Sequence, residues 1–260
     1  MKLRIQGVGK NFTGRDTQRS FTALDDVNLD VRAGELLTLV GPSGCGKSAL
    51  LDLIAGLAAP TTGRVLLDGV PLDGPGLDRG IVLQQYALFP WRTALSNIEF
   101  ALEGRAATRR ERADLARGYL DLVGLGEFGD RYPHELSLGM PQRVAIARSL
   151  AADPAVLLLD DPFAALDAGT RASLQEELVR IWERTGTTIL FTTRSIDEAV
   201  YLGRRVAVMT PRPGRIQRAV EVDLGSREGD PRDGPRFGEY RHEVWKLLRF
   251  DVDQKAPVAS

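Results

Sequence analysis

The sequence predicts an α/β fold in which a mainly parallel β-sheet is interrupted by a helical insert. Two apolar runs, Leu36–Val40 and Ala155–Leu159, are typical of central strands that are covered on both faces. Each run is followed by apolar residues at helical spacing, over Ser48–Gly56 and Thr170–Arg184. Between these two strand–helix pairs, roughly over residues 87–151, helix signals dominate and mark the insert.

Shorter patterns predict the other elements. Alternating apolar residues end the segment Ala23–Val31, as in a half-buried strand, whereas the polar stretch Asn11–Ser20 predicts a loop. Further strands are predicted over Leu3–Val8, Gly63–Gly69, Thr187–Phe191 and Arg205–Met209, and further helices over Arg109–Leu125 and Pro141–Leu150. A charged tail from about Ser226 ends in an amphipathic piece at Phe237–Leu248 and carries no recognisable chemistry.

Composition narrows the class of protein. The 34 Lys and Arg residues and 35 Asp and Glu residues give a net charge of −1, which argues against a dedicated nucleic-acid binder. The single cysteine, Cys45, excludes an intrachain disulfide and fits a reducing compartment. No apolar run approaches the ~18 residues of a membrane span, and Met1–Gln6 alternates like a strand rather than a signal peptide. We therefore expect a cytosolic enzyme or subunit.

A phosphate-binding loop is the strongest local signal. Gly41-Pro-Ser-Gly-Cys-Gly46-Lys47-Ser48 fits the pattern G-x-x-x-x-G-K-[ST] and lies between a predicted strand and a predicted helix. Its glycines let backbone N–H groups turn toward phosphate oxygens, Lys47 is expected at the β- and γ-phosphates, and Ser48 at Mg²⁺. The alternative is a chance glycine-rich turn, which the flanking elements disfavour. Cys45 is interpreted as a filler rather than a redox residue, since no second thiol exists.

Two carboxylates end the second apolar run. Asp160 is the candidate for Mg²⁺, and Asp161 is the candidate for polarising the attacking water. Such a pair alone could equally be a helix cap or a solvated loop. Its occurrence together with the phosphate loop favours nucleotide chemistry.

Further segments resemble motifs of the ATP-binding-cassette (ABC) ATPases, and the resemblance extends over about residues 3–220. These segments are the signature-like Leu136-Ser137-Leu138-Gly139-Met140 with Gln142-Arg143, the Q-loop-like Val82–Gln85 with Gln84, the D-loop-like Ala165-Leu166-Asp167, the switch-like Thr192–Ala199, and Phe12 at an adenine-stacking position. The resemblance implies a P-loop NTPase core with an N-terminal antiparallel β part and a helical subdomain between the Q-loop and the signature. The implied boundaries are 1–86 and 152–225 for the core, 87–151 for the helical subdomain and 226–260 for the tail.

Finer features resemble the ATPase subunits of nitrate, taurine and aliphatic-sulfonate importers. They are Gly74-Pro75-Gly76, Arg79-Gly80, Tyr86–Arg92 and Pro211–Arg215. This resemblance implies a peripheral subunit on the cytoplasmic face of the inner membrane, bound to a transmembrane permease and served indirectly by a periplasmic solute-binding protein. Tyr86–Asn97 would then lie near the permease, although Phe89-Pro90-Trp91 could also be an ordinary apolar loop anchor.

The resemblance also implies two subunits, a homodimer being expected, that enclose two ATP molecules. The implied ATP-binding residues are Phe12, Gly41, Pro42, Ser43, Gly44, Cys45, Gly46, Lys47, Ser48 and Ala49. Ser48, Gln84 and Asp160 are implied for Mg²⁺, and Asp161, Gln84 and Arg194 for catalysis. Ser137, Leu138 and Gly139 would act on the partner's ATP, and Asp167 would be the D-loop carboxylate.

Several positions depart from the family pattern. Ala49 replaces a usual threonine, Asp161 a glutamate, Arg194 a histidine, Ser195 an aspartate and Leu138 a glycine; Pro141 follows the signature and Ala164 precedes the D-loop. These changes predict that hydrolysis suffers before ATP affinity does. The alternative to a transport ATPase is therefore an ATP-binding regulatory or assembly subunit with little turnover. A soluble cassette ATPase of DNA or translation machinery is disfavoured by the balanced charge, and a P-loop GTPase or small-molecule kinase by the motif order.

Overall fold

The computed structural model describes residues 1–13, 20–105, 108–225 and 230–253. The chain divides into two compact units. The first unit comprises Met1–Pro75 and Leu190–Ser260, and the second comprises Gly76–Ile189. The core, subdomain and tail boundaries expected from the sequence stay a prediction.

The elements are numbered in chain order. The strands are β1 (Leu3–Thr13), β2 (Ser20–Val31), β3 (Leu36–Val40), β4 (Thr62–Leu67), β5 (Val70–Pro71), β6 (Arg79–Val82), β7 (Val156–Asp160), β8 (Ile189–Thr193), β9 (Arg205–Met209) and β10 (Ile216–Glu221). The α-helices are α1 (Lys47–Ala55), α2 (Ala94–Leu102), α3 (Arg109–Leu122), α4 (Met140–Ala151), α5 (Ala168–Thr185), α6 (Ile196–Leu202) and α7 (Pro235–Asp253).

Two sheets organise the first unit. One is antiparallel, with the strand order β2-β1-β4-β5. In the other, β3 lies between β9 and β8, β3 and β9 are parallel, and β10 adds an antiparallel edge to β9. All five residues of β3 are buried, and α1 buries Leu50, Leu51, Leu53 and Ile54 beside them. The phosphate loop therefore starts from a fully packed central strand.

The predicted loop over Asn11–Ser20 is wrong at both ends. Asn11–Thr13 continue β1 and Ser20 begins β2, with Phe12 directly opposite Phe21. Register shifts between Ile5 and Asn11 interrupt the apolar alternation of β1, which is why the outer half of this ribbon lacks a strand-like sequence pattern. Residues 14–19 lie outside the described residues.

The second unit joins a parallel strand pair to helices. β6 pairs with β7 in parallel, with Arg79 opposite Val156. Helices α2, α3 and α4 pack against one another, and β6 contacts α4. Side chains cap three helix starts: Thr93 for α2, Thr108 with Glu111 for α3, and Asp167 for α5. Nowhere in the described ranges does a helix combine the length and apolarity needed to cross a membrane.

Candidate functional site

The phosphate loop joins β3 to α1 and has a backbone that only glycine accommodates. Gly44 and Gly46 have φ angles of +75° and +110°. A Cβ on Gly46 would lie 2.6 Å from Leu24 Cδ2 and 3.2 Å from the Ala23 carbonyl oxygen. Gly46 is the N-cap of α1 and has no side chain that could occupy the first amides of this helix. The helix start therefore has the features of an anion site.

The Lys47 ammonium lies inside this loop. Its Nζ donates hydrogen bonds to the carbonyl oxygens of Gly41 (2.7 Å) and Pro42 (3.1 Å), and the side chain is buried. The neighbouring Cys45 thiol is also buried and packs under Gly41, where a Cβ would lie 2.8 Å from Sγ. Cys45 thus fills space beneath the loop, whereas Ser48 is exposed on α1. The loop combines backbone donors with a fixed positive charge, which suits a phosphate chain.

An aromatic pair lies on the antiparallel sheet of the same unit. The Phe12 and Phe21 rings stack with centroids 5.5 Å apart and planes at 27°, and both are partly exposed. The Lys10 ammonium is 5.3 Å from the Phe12 centroid. Sequence reasoning identified Phe12 but missed Phe21, which the register of β1 and β2 would have revealed. The pair offers an aromatic surface to a base.

Arg194 follows β8 in the first unit and is held by its neighbours. The Thr193 hydroxyl donates to the Glu198 carboxylate, and the Ser195 N–H donates to Thr193 Oγ1 at 3.0 Å. The Glu198 N–H donates to Ser195 Oγ at 3.3 Å, which caps α6. Thr193 and Glu198 are buried, whereas Arg194 is exposed. This network fixes the backbone on which the Arg194 guanidinium stands.

The acidic pair ends β7 in the second unit. Asp160 and Asp161 are both half-buried. Asp161 has a φ of +44°, and its carbonyl oxygen accepts the Ala164 N–H at 3.2 Å, which closes a turn. Non-glycine residues rarely adopt this left-handed conformation, and Asp and Asn adopt it more readily than most. The chain direction therefore changes sharply at the second carboxylate.

Gln84 is exposed just after β6, at the start of an aromatic segment. In that segment the Asn97 amide donates to the carbonyl oxygens of Phe89 and Arg92 and accepts the Phe89 N–H at 2.9 Å. Phe89 contacts the rings of Trp91 and Phe100 at centroid distances of 5.5 and 4.8 Å. Trp91 is nevertheless 72% exposed. A buried amide thus braces a turn that presents a large apolar ring outward.

The signature-like segment precedes α4. Gly139 caps this helix at a φ of +89°, and a Cβ there would lie 2.7 Å from Thr170 Cγ2, so glycine is required. Leu138 is 63% exposed and Ser137 is exposed beside it. Pro141 lies in the first turn of α4, where its missing N–H removes no helical hydrogen bond. The start of α4 therefore has no side-chain cap at Gly139, and the Met140 N–H donates to the Ser137 carbonyl at 3.0 Å.

Asp167 is the N-cap of α5. Its Oδ1 accepts the N–H groups of Gly169 and Thr170, each at 3.0 Å. Hydrogen bonds from the Thr170 side chain and backbone, with a smaller one from Gly169, hold the pKa of the Asp167 carboxyl below its ordinary value. The carboxylate is thus kept charged in its role as a cap.

The residues expected at Mg²⁺ are compatible with that ion. Ser48, Gln84 and Asp160 offer hydroxyl, amide and carboxylate oxygens, the hard donors that Mg²⁺ prefers. Among the described residues, no cluster of three or more His, Cys, Asp or Glu could form a complete metal cage. Nucleotide-bound Mg²⁺ needs no such cage, because phosphates and water complete its coordination.

The candidate residues divide between the two units. The first unit carries Phe12, the phosphate loop from Gly41 to Ala49 and Arg194. The second carries Gln84, Ser137–Gly139, the acidic pair at Asp160 and Asp161, and Asp167. Within the first unit, Arg212 is a further charged group beside the loop that sequence reasoning did not select. Its only sequence signal is the unusual segment Pro211–Arg215.

Comparison with known proteins finds a matching family and several similar proteins. The sequence model of the family described as ABC transporter matches residues 24–164. An uncharacterized ABC transporter ATP-binding protein of Methanocaldococcus jannaschii is 50% identical over 252 residues, which cover 97% of this chain and 93% of that protein. The nitrate import ATP-binding protein NrtD of Synechocystis is 46% identical over the whole of both chains. The taurine import ATP-binding protein TauB of Pseudomonas putida is 45% identical over 86% of this chain and 84% of its own.

Solved structures agree with these relatives. The dimeric ATP-binding cassette MJ0796, in a post-hydrolysis state bound to ADP and phosphate, matches with a TM-score of 0.74 and 32% identity. The match covers 85% of this chain and 99% of that one. The fold and the phosphate loop thus define an ATP-binding cassette, and the chain belongs to the ABC transporter family of ATP-binding proteins. The predicted α/β fold and the resemblance to nitrate and taurine import ATPases are confirmed.

Proposed function

We propose that this chain is the ATP-binding subunit of an ABC importer, which couples ATP binding and hydrolysis to solute uptake through a partner permease. The observation that carries the proposal is the glycine loop that encloses the Lys47 ammonium. This loop occurs in a chain that matches a nitrate import ATP-binding protein along its entire length. The family's ATPase chemistry and the import relatives support the coupling step.

Each candidate residue receives a role in this proposal. Phe12 contacts the base, the loop from Gly41 to Ala49 binds the phosphates, and Ser48, Gln84 and Asp160 hold Mg²⁺. When bound, Mg²⁺ supplies Lewis-acid stabilisation of the phosphate charge. Lys47 neutralises the β- and γ-phosphates, Asp161 holds the attacking water with Gln84, and Arg194 adds positive charge at the γ-phosphate.

A second copy of the chain completes the proposed site. Ser137 and Gly139 lie at the uncapped start of α4 and would bind the partner's γ-phosphate there, with Leu138 beside it. Asp167 would help to join the two copies. The MJ0796 structure, a dimer bound to ADP and phosphate, supports the proposed association of two copies.

The partners follow from the importer relatives. We assign the exposed Trp91 and its braced turn to contact with the permease, since large exposed rings mark interaction surfaces. A periplasmic solute-binding protein would deliver the solute indirectly, and the subunit would lie on the cytoplasmic face of the inner membrane. Small oxyanions of the nitrate, taurine or sulfonate type are the proposed solutes, because relatives are named for nitrate and taurine import.

The residues that depart from the family pattern are the reason for an alternative function. In this alternative the chain is a regulatory or assembly subunit that binds ATP with little turnover. Asp161, Arg194 and Leu138 lie at three positions of the proposed hydrolytic machinery. In a homodimer both ATP sites would carry all three changes. The alternative predicts ATP binding without appreciable phosphate release.

Phosphate release from Mg²⁺-ATP tests both functions. The wild-type chain is compared with Lys47→Ala and with the combined Asp161→Glu, Arg194→His and Leu138→Gly variant, and ATP binding is measured in each. We expect the wild type to hydrolyse ATP and Lys47→Ala to lose activity. Binding without release by the wild type, together with release by the combined variant, would favour the regulatory subunit. A wild type that neither binds nor hydrolyses ATP would contradict the proposal.

A further inference from the structure

The hairpin loop between β9 and β10 packs directly on the phosphate loop. The Gly214 N–H donates to the Ala23 carbonyl at 2.8 Å, and the Asp25 N–H donates to the Gly214 carbonyl at 3.0 Å. A Cβ on Gly214 would lie 2.1 Å from the Cys45 carbonyl oxygen. The hairpin backbone therefore contacts the turn that holds the proposed phosphate site.

Backbone and hydroxyl bonds fix the shape of this hairpin loop. The Thr210 N–H donates to the Arg215 carbonyl at 2.9 Å, and the Arg215 N–H donates to Thr210 Oγ1 at 2.9 Å. The Thr210 hydroxyl also donates to the Pro213 carbonyl at 3.1 Å. These three bonds do not use the Arg212 side chain, so a substitution there leaves them in place.

The Arg212 guanidinium lies between the aromatic pair and the phosphate loop. Its Cζ is 4.7 Å from the Phe21 ring centroid, and Phe21 stacks on Phe12. Its Nη2 is 3.7 Å from the position that a Cβ on Gly44 would occupy. Arg212 is exposed on this surface. A single cation thus lies over the Phe21 ring and close to the Gly44 turn, where phosphates would bind.

We propose that Arg212 is a nucleotide-binding residue whose guanidinium pairs with the phosphate chain while its plane rests on Phe21. The inference depends on the proposed ATP site and adds a second cation to it. Lys47 lies on the Gly41 and Pro42 side of the loop, whereas Arg212 lies on the Gly44 side. Guanidinium groups bind phosphate in bidentate fashion and stack on aromatic faces, so one side chain can make both contacts.

The test uses the full-length protein and ADP binding at several salt concentrations. Arg212→Gln removes the charge, Arg212→Lys keeps it without the planar fork, and Arg218→Gln is the control. Arg218 is an exposed arginine on β10 of the same hairpin and pairs with Glu243. We expect Arg212→Gln to weaken ADP binding about tenfold and to reduce its salt dependence, with Arg212→Lys intermediate. Arg218→Gln should bind ADP like the wild type.

Each other outcome has a definite meaning. ADP affinity of Arg212→Gln within about twofold of the wild type would overturn the inference, because a charged pair contributes more than that. Equal losses in Arg212→Gln and Arg218→Gln would also overturn it, since they would reflect net charge alone. Thermal unfolding of every variant checks the fold, and Arg212→Lys provides the comparison if Arg212→Gln unfolds early. Failure of the wild type itself to bind ADP or ATP would instead contradict the proposed function.

Discussion

At the scale of single residues, the local backbone selects the carboxylate after β7. Asp161 has a φ of +44°, a conformation that Asp and Asn adopt more readily than Glu. The shorter acid therefore suits the backbone at this position, although it shortens the reach of the carboxylate. Replacing Asp161 by glutamate lengthens the reach of the carboxylate but adds backbone strain. The combined Asp161→Glu, Arg194→His and Leu138→Gly variant should therefore gain less phosphate release than its new side chains alone would give.

Asp161→Asn tests the proposed role in catalysis. Asparagine keeps the size and the left-handed preference but lacks the charge that polarises water. We expect phosphate release to fall by about 100-fold or more, as for loss of a general base, while ATP affinity stays within about twofold. Single-turnover phosphate release and equilibrium ATP binding measure the two quantities. Turnover equal to the wild type would show that Asp161 does not act on the water.

The sequence pattern indicated the backbone geometry where the requirement is local in sequence, whereas the roles of the site residues stay a prediction. The glycines at 44, 46 and 139 all take positive φ angles, and a Cβ at Gly46 or Gly139 would clash, as expected of loops that approach phosphate. Phe21 and Arg212 were missed because their positions depend on strand register and on a hairpin that returns from a distant part of the chain. No short pattern encodes such a contact.

At the scale of elements, the start of α5 depends on its cap. The Asp167 carboxylate accepts two backbone N–H groups, and its pKa is lowered chiefly by Thr170. A lowered pKa contributes stability above the ordinary Asp pKa of about 3.9, and this contribution is lost as the pH falls through the lower folded value. We expect Asp167→Ala to lower the free energy of unfolding at pH 7, because two backbone N–H groups at the start of α5 lose their acceptor.

The same cap predicts a pH signature. The difference between the wild type and Asp167→Ala should shrink below about pH 4, as the carboxylate becomes protonated. Asp167→Asn is the control, because asparagine caps a helix without titrating in this range. Denaturant unfolding at neutral and acidic pH measures both effects. A difference that is independent of pH would contradict the cap as the cause.

An ion pair joins the helix after the signature-like segment to α5. Arg143 Nη1 is 2.8 Å from Glu177 Oε2, with side-chain exposures of 24% and 12%. Burial raises the pKa of Glu177, and the charges of Arg143 and Arg180 oppose that rise. The guanidinium therefore compensates a carboxylate that is poorly solvated.

Arg143→Met removes the stronger of the two positive charges that compensate the Glu177 carboxylate. We expect a loss of about 1–2 kcal/mol in the free energy of unfolding at pH 7, less than for a fully buried pair because the site is partly solvated. The loss in the free energy of unfolding should become smaller toward pH 5. Glu177 can then take up a proton, and the folded variant no longer carries a poorly solvated charge. Adding Glu177→Gln should recover part of the stability, and a double-mutant cycle measures the coupling. A coupling of zero would contradict this account.

Elements with a continuous apolar run or a helical period were predictable, whereas β6, α6 and β10 were not. The apolar runs of β3 and β7 and the helical spacing of α5 predicted their positions, because burial on both faces or on one helix face leaves a clear pattern. β6 has four residues and α6 has seven, too few to establish a period. β10 is an edge strand with mostly exposed residues, so burial imposes little alternation on it.

At the scale of the whole molecule, one copy provides only part of each proposed ATP site. The phosphate loop and the Ser137–Gly139 segment of one chain would serve two different nucleotides. ATP should therefore favour association of two copies, because closure adds the γ-phosphate contacts of the second chain. In the proposed dimer Lys47 would act on the copy's own nucleotide and Ser137 on the partner's, so we expect substitutions at the two positions to have separable effects.

Sedimentation of the full-length protein with and without Mg²⁺-ATP measures whether ATP joins two copies. The Asp161→Asn background slows hydrolysis, so that ATP persists during the measurement. We predict that ATP converts monomer to dimer, and that adding Ser137→Arg prevents the conversion while ATP binding is retained. Lys47→Ala should abolish both binding and association. A protein that binds ATP yet keeps the same mass with and without it, or a Ser137→Arg variant that dimerises normally, would contradict the account.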